Sequence, residues 1–142
     1  MRLDLDQVSE LCKEVGLPCE QRSADEVALE VEPGAVLLFR NYPGEDDNLV
    51  GFEGTEWHTH DGLMCSDRHG YHIELTYLDL VSGLADGSML VCELWVGASL
   101  SDRWLVHRDF VDEFGHMRDG EEIRIRAVRT RGDAEPCSGG GA

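Results

Sequence analysis

Short segments of alternating apolar and polar residues, joined by connections too short to contain a helix, place the strongest limit on this fold. In EVALEVE, residues 26–32, the valines and the leucine would share one face and the glutamates the other, as in a half-buried strand. A Pro33-Gly34 turn leads directly into AVLLFRNY, residues 35–42, a second and more apolar strand. A parallel pair needs a crossover of a dozen or more residues. The pattern therefore predicts a mainly antiparallel sheet.

Helical spacing is found in two segments. The first, LDLDQVSELCKEVGLP, has apolar residues at intervals of three and four, namely Leu5, Val8, Cys12 and Val15. Asp4 or Asp6 would cap this helix, and Gly16 followed by Pro18 would end it. The second begins at Asp109 and has three apolar residues at helical spacing, namely Phe110, Phe114 and Met117. We expect a short helix there.

Two later segments alternate in the manner of strands. YHIELTYL, residues 71–78, is predicted as one strand, with four residues facing the core, namely Tyr71, Ile73, Leu75 and Tyr77. EEIRIRAV, residues 121–128, is predicted as another. Its core-facing residues would be Ile123, Ile125 and Ala127, with Arg124 and Arg126 facing outward.

The segment between them, DLVSGLADGSMLVCELWV, is predicted as two apolar arms about Asp86-Gly87, a dipeptide that suits a tight hairpin turn. The first arm also fits a short helix. Trp95, in the second arm, is assigned to the core because it shares a strand face with Met89 and Val91.

These elements predict a single α+β domain over residues 1–131. It would contain a mainly antiparallel sheet of about five to seven strands, an N-terminal helix and one further short helix. Residues 132–142 lack apolar content and are expected to form a flexible tail that includes Cys137. A chain of 142 residues can bury a core without a metal or disulfides.

Charge narrows the range of partners. The chain has 29 acidic residues and 12 lysines and arginines, a formal net charge of −17. A field of this sign repels phosphate backbones and anionic lipid, which argues against nucleic-acid and membrane binding and favours a basic protein partner. The alternative is that the acidic surface only maintains solubility.

The number and spacing of the cysteines favour a reducing compartment. Five cysteines, with no C-x-x-C pair among them, predict free thiols, and no apolar run approaches the length of a membrane span. We therefore expect a cytoplasmic protein.

Four of the six histidines lie within fifteen residues, namely His58, His60, His69 and His72. Positions i and i+2 of a strand share a face, so His58 and His60 could bind one ion, zinc or another divalent transition metal. His72 would be the third ligand and Glu74 could supply a fourth or orient an imidazole. Three protein ligands would leave one position open for water, as catalytic zinc requires.

Known patterns give this site little support. His58-Thr59-His60 is similar to the start of the metal-binding pattern of metal-dependent deubiquitinase-like peptidases, but Arg68 and Tyr71 stand where that pattern has serine and aspartate. Nor does the chain contain a G-x-S-x-G elbow or a glycine-rich phosphate loop.

A protein-binding surface is the leading hypothesis. Its acidic residues would be Glu45, Asp46, Asp47, Glu53 and Glu56. Trp57, in a polar neighbourhood, would be the anchor, since tryptophan is enriched among the residues that dominate binding energy. A protein of this kind would neutralise a basic partner without catalysis, as bacterial inhibitors and immunity proteins do. A metal-dependent hydrolase or metal-binding domain is the alternative, and a homodimer formed through a sheet edge is a third hypothesis.

Overall fold

The computed structural model describes residues 2–111 and 117–128, which form a mixed α+β fold. Within them are two α-helices, α1 (Leu5–Val15) and α2 (Tyr77–Asp86), and a 3₁₀ turn at Arg108–Phe110. The strands, in chain order, are β1 (Cys19–Ser23), β2 (Glu26–Glu32), β3 (Ala35–Asn41), β4 (Asn48–Phe52), β5 (His58–Thr59), β6 (Gly62–Ser66), β7 (His72–Thr76), β8 (Met89–Val96), β9 (Ser99–His107) and β10 (Glu121–Arg126).

The strands form three antiparallel sheets, where the sequence predicted one. The sheet orders are β1-β2-β3-β4-β5, β10-β8-β9 and β6-β7. Antiparallel pairing was predicted correctly, because short connections dictate it. The single sheet of five to seven strands was wrong, since β5 has only two residues and the chain leaves the first sheet at Asp61, which has a positive φ of 65°.

Helix α1 confirms its prediction. The Asp4 carboxylate accepts from the backbone N–H of Gln7, and Gly16 ends the helix in the left-handed conformation at φ 81°. The residues that face the core are Leu5, Val8 and Cys12. Burial raises the pKa of the Cys12 thiol to about 12.

Helix α2 overturns two predictions. The strand over residues 71–78 stops at Thr76, which caps α2 and accepts from the N–H of Asp79 at 3.1 Å while Asp79 accepts from the N–H of Thr76 at 2.9 Å. Tyr71 is exposed, not buried. The expected hairpin at Asp86-Gly87 is instead the helix C-terminus, with Gly87 at φ 86°. The helical alternative for this arm was right, because its buried residues recur at helical spacing, namely Tyr77, Leu80, Val81 and Leu84.

The five-stranded sheet and the two helices contribute most of the side chains of one continuous core cluster. The largest fully buried side chains from the sheet include Phe39, Leu29 and Leu37, and α2 contributes Leu80 and Leu84. The helices also contact each other. This arrangement leaves the β6-β7 ribbon as a separate two-stranded unit beside α2.

Two core assignments in the three-stranded sheet were wrong. Trp95 is only half-buried, because the register of β8 against β9 shifts between Leu94 and Trp95 and the indole lies beneath the Arg124 guanidinium, 4.4 Å from the ring centroid. Ile125 and Ala127 are exposed. Arg126, predicted to face outward, turns instead toward the carboxylates of Glu93, which is buried, and Glu32, which is partly exposed.

The second predicted helix falls mainly on residues 112–116, which lie outside the described residues. Its described beginning is the 3₁₀ turn Arg108–Phe110. The predicted tail at 132–142, with Cys137, also lies outside them. The four cysteines of the described ranges are free thiols.

Candidate binding surface

Basic residues are almost absent from the middle of the chain. Residues 41–102, from the end of β3 to the middle of β9, contain twelve aspartates and glutamates, and Arg68 is the one lysine or arginine among them. This stretch forms β4 to β8 and α2. With twelve acidic residues and one arginine, this stretch accounts for −11 of the formal net charge of −17.

The connection between β3 and β4 holds three of the predicted partner-binding residues. Glu45, Asp46 and Asp47 are consecutive and exposed. Asp47 accepts from the N–H of Asn48 at 2.8 Å and lies 3.2 Å from His60 Nδ1. Among the described residues, no cation forms an ion pair with Glu45. The loop therefore presents carboxylates to solvent.

The other predicted residues lie at the far end of β4. Asp47 and Glu53 bracket this five-residue strand, which separates them by about 20 Å. Glu53 is paired with Arg22 at 2.6 Å, and this hydrogen bond lowers the pKa of Glu53. Glu56 is exposed and, within the described ranges, has no ion-pair partner. The structure thus brings the predicted acidic residues together as two clusters and not as one.

Trp57, the predicted anchor, is half-buried. Its ring packs on Phe52 with centroids 6.2 Å apart, and the backbone N–H of Trp57 donates to the Asp102 carboxylate at 3.4 Å. The indole therefore belongs to the rim of the core and offers only one side to another molecule.

The three predicted metal ligands do not form one group. The rings of His58 and His60 are perpendicular, with centroids 5.2 Å apart. His60 Nδ1 is hydrogen-bonded to the carbonyl of Asn48, and His58 Nδ1 to the carbonyl of Glu56 at 3.0 Å. His72 lies in the β6-β7 ribbon, paired with Ser66. Over residues 2–111 and 117–128, no three His, Cys, Asp or Glu side chains are placed to hold a metal ion.

A groove of about 820 Å³ runs between the end of β5, the β6-β7 ribbon and the start of α2. Its apolar lining comes from five side chains, namely Leu63, Met64, Leu75, Tyr77 and Leu78. Its charged and titratable lining comes from Arg2, His60, Asp61 and Glu74. We name it the ribbon groove. Sequence reasoning missed it, because it depends on α2 standing where a strand was expected.

A buried asparagine fixes the rim of the ribbon groove. Asn48 is 1% exposed, and its side chain bonds both the carboxylate and the N–H of Asp61, the latter at 2.7 Å. The Asp61 carbonyl accepts from the N–H of Tyr77 at 3.0 Å. These contacts hold Asp61 in its left-handed conformation, which only a few non-glycine residues adopt. The carboxylate is therefore held in one place at the mouth of the groove.

A second polar cluster lies between the sheets and is also absent from the sequence-based predictions. Glu93 on β8 and Arg103 on β9 are 2% and 7% exposed and bond at 2.7 Å. Arg126 joins Glu93 at 2.9 Å and Glu32 at 2.8 Å. Burial lowers the pKa of Arg126. We call these four residues the charge quartet. One signal was available, since a glutamate within the apolar run LVCELWV requires a partner.

Comparisons with known proteins add no relative: no protein-family model, curated protein or solved structure matches this chain. Among the described residues, no helix has the length and apolar content needed to cross a membrane.

Proposed function

We propose that this protein is a non-enzymatic binding protein that neutralises a basic protein partner, as inhibitors and immunity-type proteins do. One observation carries the proposal. Residues 41–102 contain twelve acidic residues and one arginine, and two of the exposed carboxylates of this segment, Glu45 and Glu56, lack an ion-pair partner within the described ranges. Carboxylates left uncompensated in the folded chain are available to cations on another molecule.

Charge of this kind acts mainly on encounter and choice of partner. Complementary fields raise association rates by roughly 10- to 1,000-fold and disfavour acidic partners. Tight binding needs a few desolvated anchors in addition. Trp57 would supply one such anchor, a role supported by its place next to Glu56 and by its being only half-buried.

The decisive experiment isolates a partner and then measures the rate of association. The wild-type protein is used as bait in extracts of its source cells, and the captured protein is purified. Binding is then compared for the triple variant Glu45→Gln/Asp46→Asn/Asp47→Asn and for a control triple, Glu10→Gln/Glu14→Gln/Glu30→Gln. Both variants change the net charge by the same amount, and the control positions are exposed residues of α1 and β2.

We expect association of the loop variant to be about 10-fold slower at low ionic strength, with a shallower salt dependence, and the control to change by less than about 3-fold. Equal losses in both variants would contradict a defined acidic face. A wild-type protein that captures no basic protein would contradict the function itself.

A metal-dependent hydrolase or metal-sensing domain is the second function we propose to test. The observation in its favour is the 5.2 Å separation of the His58 and His60 rings, which allows two imidazoles to contact one ion. Metal content after purification without affinity metals decides it. Stoichiometric zinc or another transition metal that is lost in His58→Ala would support this function, and substoichiometric metal that is unchanged in His58→Ala would reject it.

A further inference from the structure

The ribbon groove combines apolar surface with carboxylates in an arrangement that the proposed function does not yet use. Met64 lines the groove and is 62% exposed, so its apolar side chain is accessible to another molecule. It is the register partner of Glu74 across β6 and β7, so the two side chains emerge side by side on one face of the ribbon. A thioether next to a carboxylate suits a long side chain with an apolar stem and a cationic end.

The other charged and titratable residues of the groove do not neutralise its carboxylates. Arg2 is the one lysine or arginine in its lining, and its guanidinium is engaged by Asp25 at 3.0 Å. His60 is 3.2 Å from Asp47. Among the described residues, neither Asp61 nor Glu74 has an ion-pair partner. The groove therefore has two carboxylates that no cation of the described chain neutralises.

The start of α2 does not convert the groove into an anion site. Free N–H groups at a helix N-terminus attract anions. In α2 the Thr76 hydroxyl accepts from the N–H of Asp79, the Asp61 carbonyl accepts from the N–H of Tyr77, and the Asp79 carboxylate adds negative charge to the first turn. The positive end of the helix dipole is thus met by groups of the chain itself.

We infer that the ribbon groove binds an arginine side chain that protrudes from the basic partner. The inference rests on the proposed function and deepens it by assigning a receiving site. The methylene stem would lie along Met64, and the guanidinium would reach Glu74 on the same face of the ribbon and Asp61 beside it. Arginine suits such a site better than lysine, because its planar, weakly hydrated head can bond carboxylates in a bidentate manner.

The first test probes the groove alone. Backbone amide NMR shifts are followed while N-acetyl-arginine methylamide is added, with the citrulline analogue, equal in shape but uncharged, as the matched control. We expect saturable shifts at residues 61–64 and 74–78 with a dissociation constant of order millimolar, typical of a single side chain, and at least about 5-fold weaker binding of the citrulline analogue. Equal binding of both analogues, the same shifts with inorganic phosphate, or no saturable shift would overturn the inference.

Two exposed substitutions assign the effect to the groove. Glu74→Gln should weaken binding of the arginine derivative about 5-fold or more, and Met64→Ser about 2- to 5-fold. Glu122→Gln, an exposed site on β10 with the same change of charge, should leave binding unchanged. An equal loss in Glu122→Gln would overturn the inference, since net charge alone would then explain the result.

The purified partner separates this inference from the proposed function. Partner affinity should fall about 10-fold in Glu74→Gln, because the substitution removes one of the carboxylates that contact the partner's arginine. Partner binding at wild-type strength in both Glu74→Gln and Met64→Ser would overturn the groove assignment while leaving the proposed function intact. Failure of the wild-type protein to bind any basic protein would overturn the function, and the amide shifts would still report on the groove.

Discussion

The charge quartet and the β3-β4 loop both contain carboxylates, but those of the loop are exposed and the central one of the quartet is buried. In the quartet, Glu93 is 2% exposed and accepts hydrogen bonds from two arginines and from the Trp95 indole. In the loop, Glu45 and its two acidic neighbours are exposed, and no described cation pairs with Glu45. The first region buries its central carboxylate among cations of the chain, and the second keeps its carboxylates at the surface.

The difference separates charges that hold the fold together from charges that are free for association. A buried carboxylate is tolerated only when cations and hydrogen bonds compensate for its lost hydration. An exposed one costs little and adds little to stability. If this distinction is correct, substitutions in the two regions should differ strongly in their effect on unfolding and in the opposite sense on partner binding.

The largest effect is expected for Arg103→Met. It removes the Nε bond to Glu93 at 2.7 Å and the bond to the Gly34 carbonyl at 3.2 Å, and it leaves a buried carboxylate with less compensation. The free energy of unfolding in urea should fall by about 3–5 kcal/mol. The double variant Glu93→Gln/Arg103→Met should recover much of this loss, because the buried charge is then gone. A loss below about 1 kcal/mol in the single variant would contradict a structural role for the quartet.

A smaller effect is expected at Asn48, which belongs to the acidic region but is buried. Asn48→Ala removes the side-chain bonds to Asp61, and urea unfolding should show a loss of about 2 kcal/mol. Asp61→Gly is the matched variant, since glycine adopts φ 65° without strain. Its stability should lie within about 0.5 kcal/mol of wild type. A loss at Asp61→Gly as large as at Asn48→Ala would show that this carboxylate supports the fold.

Local signals explain what the sequence predicted correctly. Helix α1 follows from its cap and its apolar spacing, and the pair β2-β3 follows from alternation about a Pro-Gly turn. The prediction of a strand at the start of helix α2 was wrong, because residues 71–77 alternate although Thr76 and Asp79 have the spacing of a capping box. The signal was present, but two patterns overlapped and the tertiary packing selected the helix.

Long-range contacts explain what the sequence could not predict. Arg126 and Glu32 meet across 94 residues, and no periodicity in either strand encodes that pairing. The same holds for the ribbon groove, which joins residues near β5 to the start of α2. The closeness of His58 and His60 follows from strand alternation, but the position of His72 in another sheet does not.

The two buried thiols, Cys12 and Cys92, lead to a prediction at alkaline pH. Burial raises the pKa of Cys12 and of Cys92 from 9.0 to about 12. A raised folded-state pKa means that the stability is present below pH 9 and is lost as the pH rises toward 12. We expect a loss of roughly 1.4 kcal/mol for each thiol at pH 10 relative to neutral pH. Cys12→Ala/Cys92→Ala should show a flatter dependence, and an unchanged slope would contradict the assignment.

Substitutions in the β3-β4 loop should have the smallest effect on stability and the largest effect on the rate of association. Glu45→Gln/Asp46→Asn/Asp47→Asn removes three neighbouring like charges but keeps side-chain oxygens, so the Asp47 contact with the N–H of Asn48 at 2.8 Å can persist. The free energy of unfolding should change by no more than about 0.5 kcal/mol. The reason is that relief of repulsion within the loop is opposed by loss of the hydrogen bond that lowers the pKa of Asp46 and of the Asp47 contact with His60. The measurement is urea unfolding at low and high salt, where the difference from wild type should shrink as salt is added. A loss above about 1 kcal/mol would mean that these carboxylates, like Glu93, are held by the fold, and a slower association of this variant with a partner would then no longer identify a binding surface.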